Sequence, residues 1–286
     1  MGLQTWQIGE VTITKVTEME QRWPGFAVIP QATPAAMKEH DWVLGPFADP
    51  ETGRIRLSFH AFCIEAGDRK IVVDTCAGNN KVRPNFEALG GLHTDFLERM
   101  TEAGFGPDDV TDVVCTHLHV DHVGWNTSLV NGVWTPTFPK ARYLFGATEW
   151  NHWKDEPQVY GDVVGDSIRP CIDAGLADLV GVDHRISDNV WFESTPGHTP
   201  GHISLIIESA GQRAVITGDM VHSPLQIDDP ELAAVVDSDQ VQSRVSRREA
   251  FARWAQSGAL VIGTHFADPS AGRMVNLGGG KFRLDV

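Results

Sequence analysis

Residues 116 to 122 read Thr-His-Leu-His-Val-Asp-His, three imidazoles and a carboxylate within six positions. The strand signal Asp112 to Thr116 runs straight into them. If that strand ends at Thr116, His117 and His119 point to one side, because extended residues alternate faces. Asp121 and His122 then turn toward a second position. Imidazole and carboxylate oxygen suit a borderline metal such as zinc, so one short loop serves two metal ions. The bland alternative is a solvated loop that happens to hold three histidines.

Three further residues stand in comparable places. His198 lies in Pro-Gly-His-Thr-Pro-Gly-His, residues 196 to 202. Asp219 ends Ala-Val-Ile-Thr-Gly-Asp, and His265 ends Leu-Val-Ile-Gly-Thr-His. Each follows an apolar stretch of strand length, where a buried strand gives way to a loop. A sheet builds a site along its edge in this way.

The His-x-His-x-Asp-His string, followed by a His, an Asp and a His, resembles the metallo-β-lactamase-fold hydrolases over roughly residues 55 to 270. The resemblance implies that His117, His119 and His198 hold one metal, that Asp121, His122 and His265 hold a second, and that Asp219 bridges them. It implies two divalent ions, zinc first, with iron, cobalt or manganese as alternatives. It also implies a four-layer αβ/βα sandwich of two mixed β-sheets with helices outside, an α/β (α+β) fold.

Composition narrows the partners. A net charge of −15 argues against nucleic acid and anionic membranes, because phosphate binding needs a basic surface. That charge suits a small neutral or hydrophobic substrate. No apolar run is long enough for a membrane span, and the N-terminus does not read as a secretory signal. Cys63, Cys76, Cys115 and Cys171 are scattered and form no Cys-x-x-Cys pair, so no disulfide framework or cysteine zinc site is indicated. A cytoplasmic location is the simplest expectation.

Strand signals fall at Trp6 to Val16, Leu57 to Glu65, Lys70 to Asp74, Val190 to Ser194, Ile203 to Glu208, Arg213 to Thr217 and Leu260 to Gly263. Leu92, Phe96, Leu97 and Met100 recur at helical spacing, with Gly104 as a stop. A second helix is expected from about Asp239 to Gln256, ended by Gly258; Ser246 with Glu249 reads as an internal capping box and leaves its start open. Strand–helix–strand order occurs in both halves, and no linker divides the chain, so a single domain over 1–286 is expected.

Residues 17–54 carry five prolines together with Trp23, Phe26, Trp42 and Phe47. That is too long and too apolar for an ordinary loop. A lid or dimer arm that walls the substrate pocket together with Phe266, and an extension that merely packs on the scaffold, both remain open. The segment Gly146 to Gly181 holds a short helix with Trp150 and Trp153.

Asp74, in Ile-Val-Val-Asp-Thr-Cys, is the carboxylate expected to hold a ligating histidine's other N–H. Family members usually continue Asp-Thr-Gly, and here Cys76 replaces the glycine. His202 reads as a structural hydrogen-bonding residue behind the site. His222 stands where acyl-homoserine lactonases carry a substrate-contacting tyrosine, and a histidine there resembles the methyl parathion hydrolase branch.

The resemblance therefore implies a binuclear hydrolase whose metal-bridging hydroxide attacks an ester-like bond, with Asp121, Asp219 and His222 as the catalytic residues. A lactone is the first substrate class, which would make the chain a quorum-quenching lactonase. A phosphotriester or aryl ester is the second, a glyoxalase II-like thioester the third, and iron-dependent dioxygenase chemistry the redox alternative. The lactonase-like branch implies a homodimer.

Overall fold

The computed structural model describes residues 3–156 and 159–286. The first two residues of the expected domain, and Pro157 and Gln158 within the Gly146 to Gly181 segment, lie outside the described residues. The chain divides into two compact units: Met1–Met19 with Phe59–His184, and Glu20–Ser58 with Arg185–Val286.

The first nine strands are β1 (Gln4–Ile8), β2 (Val11–Pro24), β3 (Arg54–Ala66), β4 (Arg69–Val73), β5 (Asp112–Val114), β6 (Thr127–Val130), β7 (Val133–Pro136), β8 (Arg142–Gly146) and β9 (Ala177–Val180). Seven of them form a mixed sheet in the order β1-β2-β3-β4-β5-β8-β9, and β6 pairs with β7. Residues 20–24 of β2 and 54–58 of β3 belong to the second unit. The strand expected over Trp6 to Val16 is a hairpin, because Gly9 and Glu10 form a two-residue turn that joins Ile8 to Val11.

β4, β5, β8 and β9 run parallel to their neighbours in that order. The connection from β4 to β5 includes the helix Phe96–Glu102, as a parallel crossover requires. That helix starts later than its apolar spacing predicts. The Asn79 side chain accepts the Thr94 N–H at 2.8 Å and donates its amide N–H to the Thr94 carbonyl at 2.9 Å, so the residues before the helix are held as a loop. Phe96 and Met100 are fully buried, as are Ile71, Val72, Val73, Val113 and Val114 on the strands.

The second unit holds β10 (Val190–Ser194), β11 (Ile203–Ser209), β12 (Gln212–Ile216), β13 (Leu260–Ile262), β14 (Ala271–Gly278) and β15 (Lys281–Asp285), in sheet order. β12 and β13 pair in parallel across the helix Gln240–Ser257, and the other pairs are antiparallel. The helix begins at Asp239, whose side chain accepts the Val241 and Gln242 N–H groups, and it ends at Gly258 in the left-handed conformation. Ser246 is not a cap; its hydroxyl donates to the Pro196 carbonyl at 2.6 Å. Ala250, Phe251 and Trp254 are buried, and burying Phe251 alone contributes roughly 1.5–3 kcal/mol.

Both units thus repeat one device: two adjacent parallel strands joined through a helix. Asp74 follows β4 and Asp219 comes soon after β12, while the 116–122 motif follows β5 and His265 follows β13. Side chains at the carboxyl ends of parallel strands are where open α/β sheets bind ligands.

β2 reaches Pro24, so the segment 17–54, expected as a lid, a dimer arm or a packed extension, begins as sheet. Beyond it, Val28, Ile29, Met37, Val43 and Phe47 are buried. All four cysteines are free and buried. Among the described residues no helix is long and apolar enough to cross a membrane.

Candidate metal centre

In the first unit, His117 Nε2 faces His119 Nδ1 at 3.0 Å. Two neutral imidazole lone pairs at that separation repel, so a proton or a cation belongs between them. The His117 and His122 rings stand 4.1 Å apart, and His122 Nε2 lies 3.6 Å from Asp121 Oδ2. His117 and His122 are buried, while His119 and Asp121 are half-exposed.

Asp74 organises this loop from below. Its carboxylate accepts the Thr116 N–H at 2.8 Å and the Thr116 hydroxyl at 2.9 Å, and Oδ2 lies 2.9 Å from His122 Nδ1. An imidazole that donates Nδ1–H to this carboxylate keeps its Nε2 lone pair for a metal. Asp74 and Cys76 both adopt positive φ, 56° and 50°. The left-handed angle at Cys76 is the conformation that makes glycine common there. Burial pushes the Cys76 thiol well up, with Glu18 adding to it, so no thiolate nucleophile forms near neutrality.

Two carboxylates that the motif spacing did not reveal brace this loop and the turn after Asp74. Glu149, on the helix Ala147–Trp153, accepts the Leu118 N–H at 3.3 Å and the Trp153 indole N–H at 2.8 Å. Glu18 accepts the Ala77 and Gly78 N–H groups and the Trp125 indole N–H, at 2.9, 3.3 and 2.7 Å.

In the second unit three imidazoles surround one carboxylate. His198 Nε2 lies 3.6 Å, His222 Nε2 3.3 Å and His265 Nε2 3.2 Å from Asp219 oxygens. Donor atoms of His198, Asp219 and His222 all lie within 4.8 Å of one another. The His222 and His265 rings stack at 6.0 Å. Neither ring nitrogen of His222 makes a hydrogen bond to another described residue. His202 stands behind, its Nε2 accepting the Asp219 N–H at 2.8 Å.

Backbone geometry sets these side chains. Gly197 has φ 130°, and a Cβ there would lie 2.3 Å from Ser243 N, so only glycine lets the His198 turn sit against the start of the long helix. His198 Nδ1 lies 3.2 Å from Asp237 Oδ1 across 39 residues of sequence. Burial alone would raise the Asp237 carboxyl; the hydrogen bond with His198, together with His222 and Arg247 nearby, holds it well below the usual carboxylate range. No motif spacing marks Asp237.

The residues therefore fit a divalent metal: nitrogen and oxygen donors, buried or half-buried, with carboxylates behind two of the imidazoles.

The residues expected to wall a substrate pocket behave differently from one another. Phe47 and Phe266 are buried with ring centroids 6.0 Å apart, and Trp42 donates its indole N–H to Asp228 at 2.5 Å. Trp23 bonds to Gln21 at 2.6 Å, and Phe26 is exposed beside a small cavity with Pro24 and Pro34. A separate cavity of about 180 Å³ in the first unit is lined by Leu118, His119, Val120, Trp153, Tyr160 and Val163, among others. The Trp153 ring lies 5.1 Å from the His119 ring.

The family model described as the metallo-beta-lactamase superfamily matches residues 60–265. The chain belongs to the metallo-β-lactamase superfamily. It is a metal-dependent hydrolase of that superfamily, and its sheets of mixed strands have the superfamily fold. It is 26% identical over 208 residues to an N-acyl homoserine lactonase from Bacillus cereus, covering 68% of this chain and 76% of the relative. Its structure is similar to that of a hydrolase named AbOPH (TM-score 0.80, 24% identity, 99% of this chain and 96% of that one). It is also similar to AidC, a dizinc quorum-quenching lactonase in complex with a product (TM-score 0.79, 18% identity, 99% and 96%).

Proposed function

We propose that this superfamily member is a binuclear lactonase acting on lactones that carry an apolar chain. His117, His119 and His198 take one divalent ion, zinc first; Asp121, His122 and His265 take the other; Asp219 serves both. The family match runs through residues of both units, which supports one catalytic domain. When bound, the ions supply Lewis acidity and a water acidified toward neutrality.

The observation that carries the substrate class is the cavity beside His119. Its wall is Leu118, Val120, Trp153, Tyr160, Val163 and Val164, and His119 is part of that wall. An apolar chain seated there would put the ester group next to a ligating imidazole, and burying each CH₂ contributes about 0.8 kcal/mol. The curated relatives named as N-acyl homoserine lactonases support the same class. His222 keeps its ring nitrogens clear of other protein hydrogen bonds, which suits it to donate to the substrate carbonyl oxygen as negative charge develops there. Hydrolysis adds water across the ring C–O bond and leaves a hydroxy acid, which releases one proton near neutral pH.

A histidine at position 222, where lactonases of this type carry tyrosine, favours aryl phosphotriesters as the second reading. Proton release by zinc-loaded protein on acyl-lactones, beside an aryl phosphotriester and with His117→Ala as the blank, separates the two. A lactone preference of about a hundredfold in kcat/KM, ~2.7 kcal/mol in barrier height, is expected. Fast phosphotriester turnover with slow lactone opening would replace the first reading with the second, and no turnover of either would sink both.

A further inference from the structure

The buried pair Asp237 and Arg247 belongs to no motif. Both side chains are fully excluded from solvent. Burying two charges is costly unless their geometry and hydrogen bonds compensate, and here the bonds converge on the candidate metal centre.

Asp237 Oδ1 faces His198 Nδ1 at 3.2 Å. Its Oδ2 accepts the Ala234 N–H at 3.0 Å and the Ser243 hydroxyl at 2.9 Å. Ser243 Oγ in turn accepts from Arg247 Nη1 at 2.7 Å, and that same nitrogen lies 3.6 Å from Asp237 Oδ2. The rest of the guanidinium is spent on backbone: Nη1 donates to the Met220 carbonyl at 3.1 Å, Nε to the Pro230 carbonyl at 3.0 Å and Nη2 to the Leu232 carbonyl at 2.7 Å. One arginine therefore holds two things at once. It fixes the turn that carries Asp219 and His222, and it fixes the loop that presents Asp237 to His198.

We infer that Asp237 and Arg247 are positioning residues for the metal centre, an inference that rests on the metal-ligand reading above. Asp237 holds His198 as the Nδ1–H tautomer and so reserves Nε2, the nitrogen facing Asp219, for a metal. Arg247 keeps Asp237 and the Asp219 turn in register. A carboxylate is required rather than an amide. With Ala234 N–H and the Ser243 hydroxyl both donating to Oδ2, the NH₂ of an asparagine would meet either those donors or the imidazole N–H.

The test needs no substrate. Zinc affinity of the full-length chain is measured by competition with a chromophoric chelator, alongside the melting temperature of the metal-free protein. Asp237→Asn is expected to weaken one zinc by ten- to a hundredfold, the usual loss when such a partner is removed, and to lower the metal-free melting temperature as well, because buried Arg247 loses its counter-charge. Ser243→Ala, which removes one donor from Asp237, should shift the same zinc by a smaller factor. A folded Asp237→Asn whose titration superposes on the parent overturns the inference. Should that variant fail to fold, ¹⁵N shifts of His198 in the metal-free parent decide. An Nδ1–H tautomer supports the assignment, and an Nε2–H tautomer overturns it. A parent that binds a single zinc refutes the binuclear reading, yet a weakening of that zinc in Asp237→Asn still supports the positioning role. A parent that binds none removes both.

Discussion

His202 Nε2 accepts the backbone N–H of Asp219 at 2.8 Å, while His202 Nδ1 lies 2.9 Å from the Thr195 hydroxyl. The imidazole is thus an internal strut: it is fully buried, and it sets the backbone on which the carboxylate hangs. A Cβ on Gly218, whose φ is 55°, would lie 2.5 Å from that same nitrogen. His202→Ala leaves a buried N–H without its acceptor and is expected to cost about 1–3 kcal/mol. Urea unfolding of the metal-free protein checks this. A change under about 0.5 kcal/mol, typical of neutral surface substitutions, would refute the strut.

Asp74 pairs with His122 as Asp237 pairs with His198. Asp74→Asn should weaken zinc binding by about ten- to a hundredfold. It should also lower stability, because the Thr116 N–H and hydroxyl lose an ionised acceptor. Chelator competition and thermal melting report the two effects separately, and an unaltered zinc titration would contradict the role given to Asp74.

Lys81 is fully buried, with Nζ 2.7 Å from Thr127 Oγ1, 2.8 Å from the Asp166 carbonyl and 3.6 Å from the centre of the Trp134 ring. Burial pulls its ammonium down to about 7, against the opposing pull of the Asp166 charge. The unfolded chain, with lysine at its ordinary 10.5, then binds more protons than the folded chain between those values. Stability from this group is complete above pH 10.5 and is lost as pH falls through 7. Lys81→Met should flatten that rise in a series of urea midpoints from pH 7 to about 10. Parallel curves for the two proteins would refute the shift.

Trp153 is held by Glu149 on one side and faces His119 on the other. If the cavity receives the substrate chain, Trp153→Ala raises KM for long acyl-lactones by roughly tenfold, about 1.4 kcal/mol. Short-chain lactones should lose much less. Equal losses at every chain length would argue against this cavity as the chain site.

The candidate donors could be picked out in the sequence because the 116–122 motif, His198, Asp219 and His265 each follow an apolar run of strand length, and spacing alone says where such a strand stops. Helix limits followed the same logic where a cap was present: Asp239 and Gly258 bound the long helix. Where a side chain from elsewhere intruded, the local signal failed. Asn79 captures Thr94 and delays one helix, and a turn at Gly9 and Glu10 folds one expected strand into two.

Local pattern thus determined where most strands and helices fall and which residues stand as candidate metal donors, since metal chemistry restricts residue types and alternation restricts their order, and the His-x-His-x-Asp-His string carried the resemblance to the superfamily. Tertiary structure decided what stands behind those donors. Asp237 reaches His198 across 39 residues, Arg247 spans Met220 to Leu232, and Glu149 and Glu18 receive N–H groups from distant loops. A lone Asp, Glu or Arg in a sequence looks like solvated surface. Only the returning chain shows which of them is buried, and a buried charge must find partners wherever the fold provides them.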